Sequence, residues 1–152
     1  MPVKIGLPAA LTDNKLKIDN AVKFDAVWDT GATIGAISQK VVDILGLKPT
    51  GATFVQGVHS QNKVNTYTVS VYLYPLEKEL VAQNIEVTGG LFGDVDVLIG
   101  MDIIQQGDFF IANGNGKTVV SFCYPSLTHA INLAEQSELA NKIILENLNK
   151  NV

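Results

Sequence analysis

With Cys123 as its one cysteine in 152 residues, the chain has no internal disulfide and no thiolate cluster for a structural metal. Charge is sparse as well: Asp, Glu, Lys and Arg make up 17% of the residues, and the net charge is -4. The 11 Lys and Arg are scattered, so there is no basic face to neutralise a phosphate backbone, and nucleic acid is not an expected partner. No apolar run reaches the length of a membrane span or of a signal-peptide core, which implies no membrane partner and a cytoplasmic location. His59, His129 and Cys123 are too dispersed to serve as metal ligands, and neither metal nor cofactor is expected. The segment GNGKT at 114–118 lacks the first glycine of a phosphate-binding loop, because Ile111 stands five positions before Gly116. A strand-like VVSF follows it where that loop requires a helix, so the segment reads as a hairpin turn.

What is abundant is apolar, at 47% of residues, enough for one folded domain with a sizeable core. Most of the chain alternates with the period of a strand. Val3 to Leu7 reads as a short strand ended by Pro8, and Asp19-Asn20 suits a hairpin turn between 16–18 and 22–28. Val22, Phe24, Ala26 and Trp28 share one face of the second of these strands, and Val27 makes its end apolar on both sides. Ser38 is placed to cap a helix over Gln39 to Leu45 closed by Gly46. Gly51–Val58 and Val64–Tyr74 form a hairpin with a polar tip at 59–62, whose single apolar face suits an arm lying over something. Leu80–Val87 is a further strand, and the glycine-rich 88–94 reads as a loop. Asp94 and Asp96 alternate with apolar neighbours, as on a solvated strand face. A doubly apolar strand within 95–104 ends at Gly100, after which Asp102 is placed to cap one helical turn. Phe109–Ala112 and Thr118–Phe122 flank NGNG at 113–116, a strong turn signal. Beyond Pro125 the period becomes helical, with Ile131, Ala134, Leu139, Ile143, Ile144 and Leu148 on one stripe. That stripe needs a partner surface, in its own domain or in a second chain.

The stretch AVWDTGATIGAIS at 26–38 sets a carboxylate, Asp29, at the end of an apolar strand between Trp28 and Ile34. A carboxylate buried there has to be paired, hydrogen-bonded or protonated. Asp-Thr-Gly is also ordinary turn chemistry, so the tripeptide alone leaves a structural turn open.

Four features in their order resemble the retropepsin-like aspartic proteases: an apolar strand into DTGAT at 29–33, a short helix ending LGL at 45–47, a polar-tipped hairpin, and VLIGMD at 97–102. The resemblance covers residues 3 to 124. It implies a mainly β fold, a closed acid-protease barrel with short helices over residues 1–125, followed by a helical C-terminal extension at 126–152. It also implies an aspartic endopeptidase. That chemistry needs two carboxylates sharing one proton, one to activate water and one to protonate the carbonyl oxygen. The chain holds one Asp-Thr-Gly and no Asp-Ser-Gly, so a full site requires a homodimer with one Asp29 from each copy.

By the same resemblance, Thr30 donates its hydroxyl across the two-fold axis, Gly31 and Ala32 keep the loop narrow, and Gly100 is the close-contact point beneath it. Gly57, Val58, His59, Ser60 and Gln61 are the implied flap over a bound protein or peptide substrate. Met101 stands where many viral members carry an arginine, and the flap has fewer glycines than theirs. The competing reading from another class is a dimeric peptide-binding or scaffolding module of the same fold with little or no turnover; a monomeric β domain with a turn aspartate is a third.

Overall fold

The structure, a computed structural model, describes residues 1–8, 21–56, 61–73, 80–91, 93–126 and 132–150. Its elements are β1 (Pro2–Gly6), β2 (Val22–Trp28), β3 (Ala36–Ser38), α1 (Gln39–Leu45), β4 (Gly51–Gln56), β5 (Gln61–Leu73), β6 (Leu80–Leu91), β7 (Val97–Ile99), α2 (Met101–Ile104), β8 (Asp108–Gly114), β9 (Lys117–Cys123) and α3 (Leu133–Lys150). The expected Asp19-Asn20 turn and the strand before it lie outside the described residues.

The protein is mainly β, as its alternating pattern requires. Strand order in the large sheet is β1-β2-β7-β3-β6-β5-β4, and β1 also pairs with β5. Six strands are thereby linked in a closed circuit, with β4 attached outside it along β5. Within the circuit, β7 runs parallel to β2 and antiparallel to β3. The chain leaves β2, crosses the end of β7 and returns as β3 on its other side. The crossing segment is residues 29–35, so topology alone puts the Asp-Thr-Gly stretch over the end of a core strand.

The core is made by the inward residues of these strands. Val3, Ile5, Ile37, Val41, Val69 and Ile99 are fully buried, and Phe24, Ala26, Val87 and Val97 pack with them. Burial of a branched aliphatic side chain contributes about 1.5–3 kcal/mol each, enough to dictate which face of each strand turns inward. In β2 the alternation holds for Phe24 and Ala26, whereas Val27 falls on the outer face, 42% exposed. β5 differs from the expected arm: its first five residues are mostly exposed, but Thr66 to Leu73 are almost all buried, because that half is flanked by β1 and β6. β6 runs on through Thr88 to Leu91, where a loop was expected. Thr88 pairs with Thr66, and β3 supplies a parallel partner on the other side, so the ladder overrides the glycines.

Helix α1 has the predicted ends: the Ser38 Oγ accepts from the Val41 amide at 3.4 Å, and Gly46 takes the left-handed conformation. Asp96 departs from a solvated strand face. Its side chain is largely buried and ion-pairs with the Lys40 Nζ at 2.9 Å, and its carbonyl accepts from the Ser38 amide. β8 and β9 form a separate hairpin turned at Asn115-Gly116, both with positive φ, the geometry that a two-residue turn between twisted strands demands. The hairpin is held to the core by aromatic packing: the Trp28 ring lies 5.2 Å from Phe109 and 5.1 Å from Phe122. Helix α3 is preceded by Asn132, whose Oδ1 accepts from the Glu135 amide. Its described side chains, 135–149, are all exposed, Leu139, Ile143, Ile144, Leu145 and Leu148 included. Its apolar stripe is therefore not covered by the described part of its own chain. No described helix is long and apolar enough to cross a membrane.

Candidate active site

Asp29 follows the last residue of β2, and its amide donates to the Ile99 carbonyl at 2.9 Å, which continues the β2–β7 pairing one step beyond the strand. Its Oδ1 accepts from the Gly31 amide at 2.8 Å, and the Ala32 amide donates back to the Asp29 carbonyl at 3.3 Å. These bonds close a tight turn that aims the carboxylate. The side chain is half-buried, so Trp28 and Ile34 do not seal it off as the sequence pattern suggests. Thr30 and Gly31 are exposed beside it, and among the described residues the Thr30 hydroxyl has no partner. A Cβ on Gly31 would lie 3.2 Å from the Asp29 Oδ1, crowding the carboxylate on that side.

The floor of the loop is Gly100. A Cβ there would meet the Ile34 carbonyl carbon at 2.7 Å and its oxygen at 2.8 Å, distances no real side chain tolerates. Glycine at this position lets β7 and the crossing segment touch backbone to backbone. Immediately after it, the Met101 amide donates to the Ala32 carbonyl at 2.8 Å and the Asp102 amide to the Thr33 carbonyl at 3.2 Å. Asp29, Ala32 and Gly100 are thus brought together, with Thr30 and Gly31 at the outer rim.

Asp102 does not cap α2. The cap is Gly100, whose carbonyl accepts from the Ile103 and Ile104 amides, and the Asp102 carboxylate turns to the crossing segment, where Oδ2 accepts from the Gly35 amide at 3.1 Å. Sequence reasoning missed this contact because an aspartate near a helix start reads the same whether the amide that donates to it is local or 67 residues away. Of the expected flap, Gly57, Val58, His59 and Ser60 lie outside the described residues. Gln61 and Asn62, expected in the polar tip, belong instead to β5, where they pair with Gln56 and Val55. Among the described residues no group of His, Cys, Asp or Glu is placed to hold a metal ion.

The result is a carboxylate on a glycine-bearing turn, hydrogen-bonded by its own loop and set over the end of a core strand. The family model described as "gag-polyprotein putative aspartyl protease" matches residues 14–106, more than half of the chain. The chain belongs to this family of retropepsin-like aspartic proteases. Solved structures similar to it include the following three. A retropepsin-like aspartic protease from Rickettsia conorii shares 22% identity over 78% of this chain and 79% of its own, with a TM-score of 0.49. The Simian Foamy Virus (mac) protease shares 14% over 69% and 92%, at 0.41. The retroviral protease-like domain of Ddi1 from Leishmania major shares 15% over 81% and 93%, at 0.40. No curated protein sequence matches the chain.

Proposed function

We propose that the protein is a homodimeric aspartic endopeptidase whose catalytic dyad is Asp29 of each copy. The observation that carries this reading is that Asp29 is the one Asp-Thr-Gly carboxylate of the chain and stands half-exposed at the rim of its loop. Built this way, the loop is half of a dyad and leaves room for the other half. In the dimer the two carboxylates share a proton: one draws a proton from the attacking water, and the other gives its proton to the carbonyl oxygen of the scissile bond. Thr30, exposed and with no hydroxyl partner among the described residues, donates across the axis to the partner loop. Gly31 and Ala32 keep the approach narrow, and Gly100 holds the loop down on β7. The hairpin β4–β5, with Gly57, Val58, His59, Ser60 and Gln61 at its end, closes over an extended peptide and pairs with its backbone.

Apolar surface supports a second copy. On the β8–β9 hairpin, Ile111 and Val120 pair directly on the face that carries Phe109 and Phe122, and they run past the Trp28 packing to stand 57% and 43% exposed. A site assembled from two chains calls for an obligate interface of about 2,000 Å² or more. Residues 1–125 form the protease domain in this reading, and 126–152 a helical extension.

The test is cleavage of a peptide library by wild type and by Asp29→Asn. Turnover by wild type that the variant lacks supports the proposal; equal cleavage by both contradicts it, and peptide binding without cleavage by either identifies a binding module.

A further inference from the structure

The segment that carries Asp29 is anchored at both ends, and the two anchors differ in kind. At its start the Asp29 amide is held by the Ile99 carbonyl, a main-chain bond that any residue at 99 would supply. At its end everything converges on Gly35, which is buried. The Gly35 carbonyl accepts from the Thr88 amide at 2.9 Å and from the Thr88 Oγ1 at 3.3 Å, while its amide donates to the Asp102 Oδ2 at 3.1 Å. A Cβ on Gly35 would come within 3.0 Å of the Leu98 carbonyl oxygen, so the absence of a side chain lets the segment lie close against β7 here. The Asp102 side chain is the side-chain acceptor that completes this end of the loop.

The rest of the carboxylate supports the same reading. Asp102 Oδ1 is buried and has no hydrogen-bond partner among the described residues. The bond from the Gly35 amide is thus the one hydrogen bond of this carboxylate among the described residues. Through its amide, Asp102 also holds the Thr33 carbonyl, so one residue grips the segment at two points two residues apart. From these contacts we infer that Asp102 is a positioning residue for Asp29: it touches neither substrate nor the reacting atoms, and it acts by fixing Gly35 and Thr33 so that the turn at 29–32 presents the carboxylate in one orientation. The inference deepens the proposed protease activity and rests on Asp29 being the reacting carboxylate.

Three full-length proteins decide it: wild type, Asp102→Ala and Asp102→Asn. The asparagine keeps an acceptor oxygen for the Gly35 amide and fills the same volume, whereas the alanine leaves that amide unpaired. For Asp102→Ala the expected result is a fall in kcat of about 30-fold or more with KM changed less than about threefold, because displacement of a reacting group by an ångström costs about 10²-fold. Asp102→Asn is expected to stay within about threefold of wild type in kcat, since it restores the hydrogen bond. Amide hydrogen exchange is the second readout. In the alanine variant residues 29–35 are expected to exchange about tenfold faster or more, with Val41 and Val42 of α1 unchanged, and the asparagine is expected to restore protection.

Unchanged kcat and unchanged loop exchange in Asp102→Ala would overturn the inference. So would an asparagine variant as impaired as the alanine, or exchange that rises equally in α1, which marks general destabilisation. If wild type shows no Asp29-dependent cleavage, the protease reading fails, and exchange at 29–35 still decides whether Asp102 anchors the loop.

Discussion

Asp29 has one oxygen committed to the Gly31 amide, and its side chain is only half covered. Chemistry at such a group depends on what faces it, so at the residue scale the strongest expectation concerns charge rather than packing. Asp29→Asn preserves size and the bond from Gly31 while removing the shared proton, and it is expected to lower kcat by about 10³-fold or more with little change in the unfolding midpoint. Gly100 is the opposite case. Adding one methyl at Gly100→Ala forces β7 away from Ile34, which is expected to cost about 1–3 kcal/mol in urea unfolding and to reduce activity with it. Both positions were legible in the sequence, because an Asp-Thr-Gly after an apolar strand and a glycine ending another are local patterns. Asp102 was legible as an aspartate beside a helix start and misassigned as its cap. Its partner, the Gly35 amide, is set by the crossing of β7, which no local pattern records.

At the scale of elements, short-range chemistry was sufficient wherever both ends of an element are local. Ser38 and Gly46 bound α1, and Asn115-Gly116 turns the β8–β9 hairpin, as their residue types require. It fell short where a ladder dominates. Gly89 extends β6 instead of ending it, because a Cβ there would strike the Tyr67 ring at 2.8 Å and glycine lets that ring cover the strand. The inner half of β5 likewise looked like an arm because Thr66, Ser70 and Tyr72 are polar, yet all three are buried between neighbouring strands. Helix α3 was legible in its period, but its partner was not. Since its described side chains are exposed, deleting 127–152 is expected to change the stability of the remaining domain by less than about 0.5 kcal/mol. A loss above about 2 kcal/mol would show that α3 packs on that domain.

For the whole molecule, closure of six strands into a circuit leaves the segment at 29–35 spanning the end of β7, so the fold presents its carboxylate loop outward. The proposed dimer then has consequences that no single chain has. Its dyad works with one carboxyl protonated and one ionised, so kcat/KM is expected to pass through a maximum on the acidic side and to fall as alkali ionises both. A rate that still rises through about pH 9 would be inconsistent with a shared proton.

The most direct test of a site built from two chains is to mix wild type with Asp29→Asn at fixed total concentration, allow exchange, and measure turnover against the wild-type fraction. If each site needs Asp29 from both copies, activity follows the square of that fraction, and an equal mixture retains about a quarter of the wild-type rate. Activity that falls in simple proportion, to about half at equal mixing, would place a complete site within one chain and contradict the account.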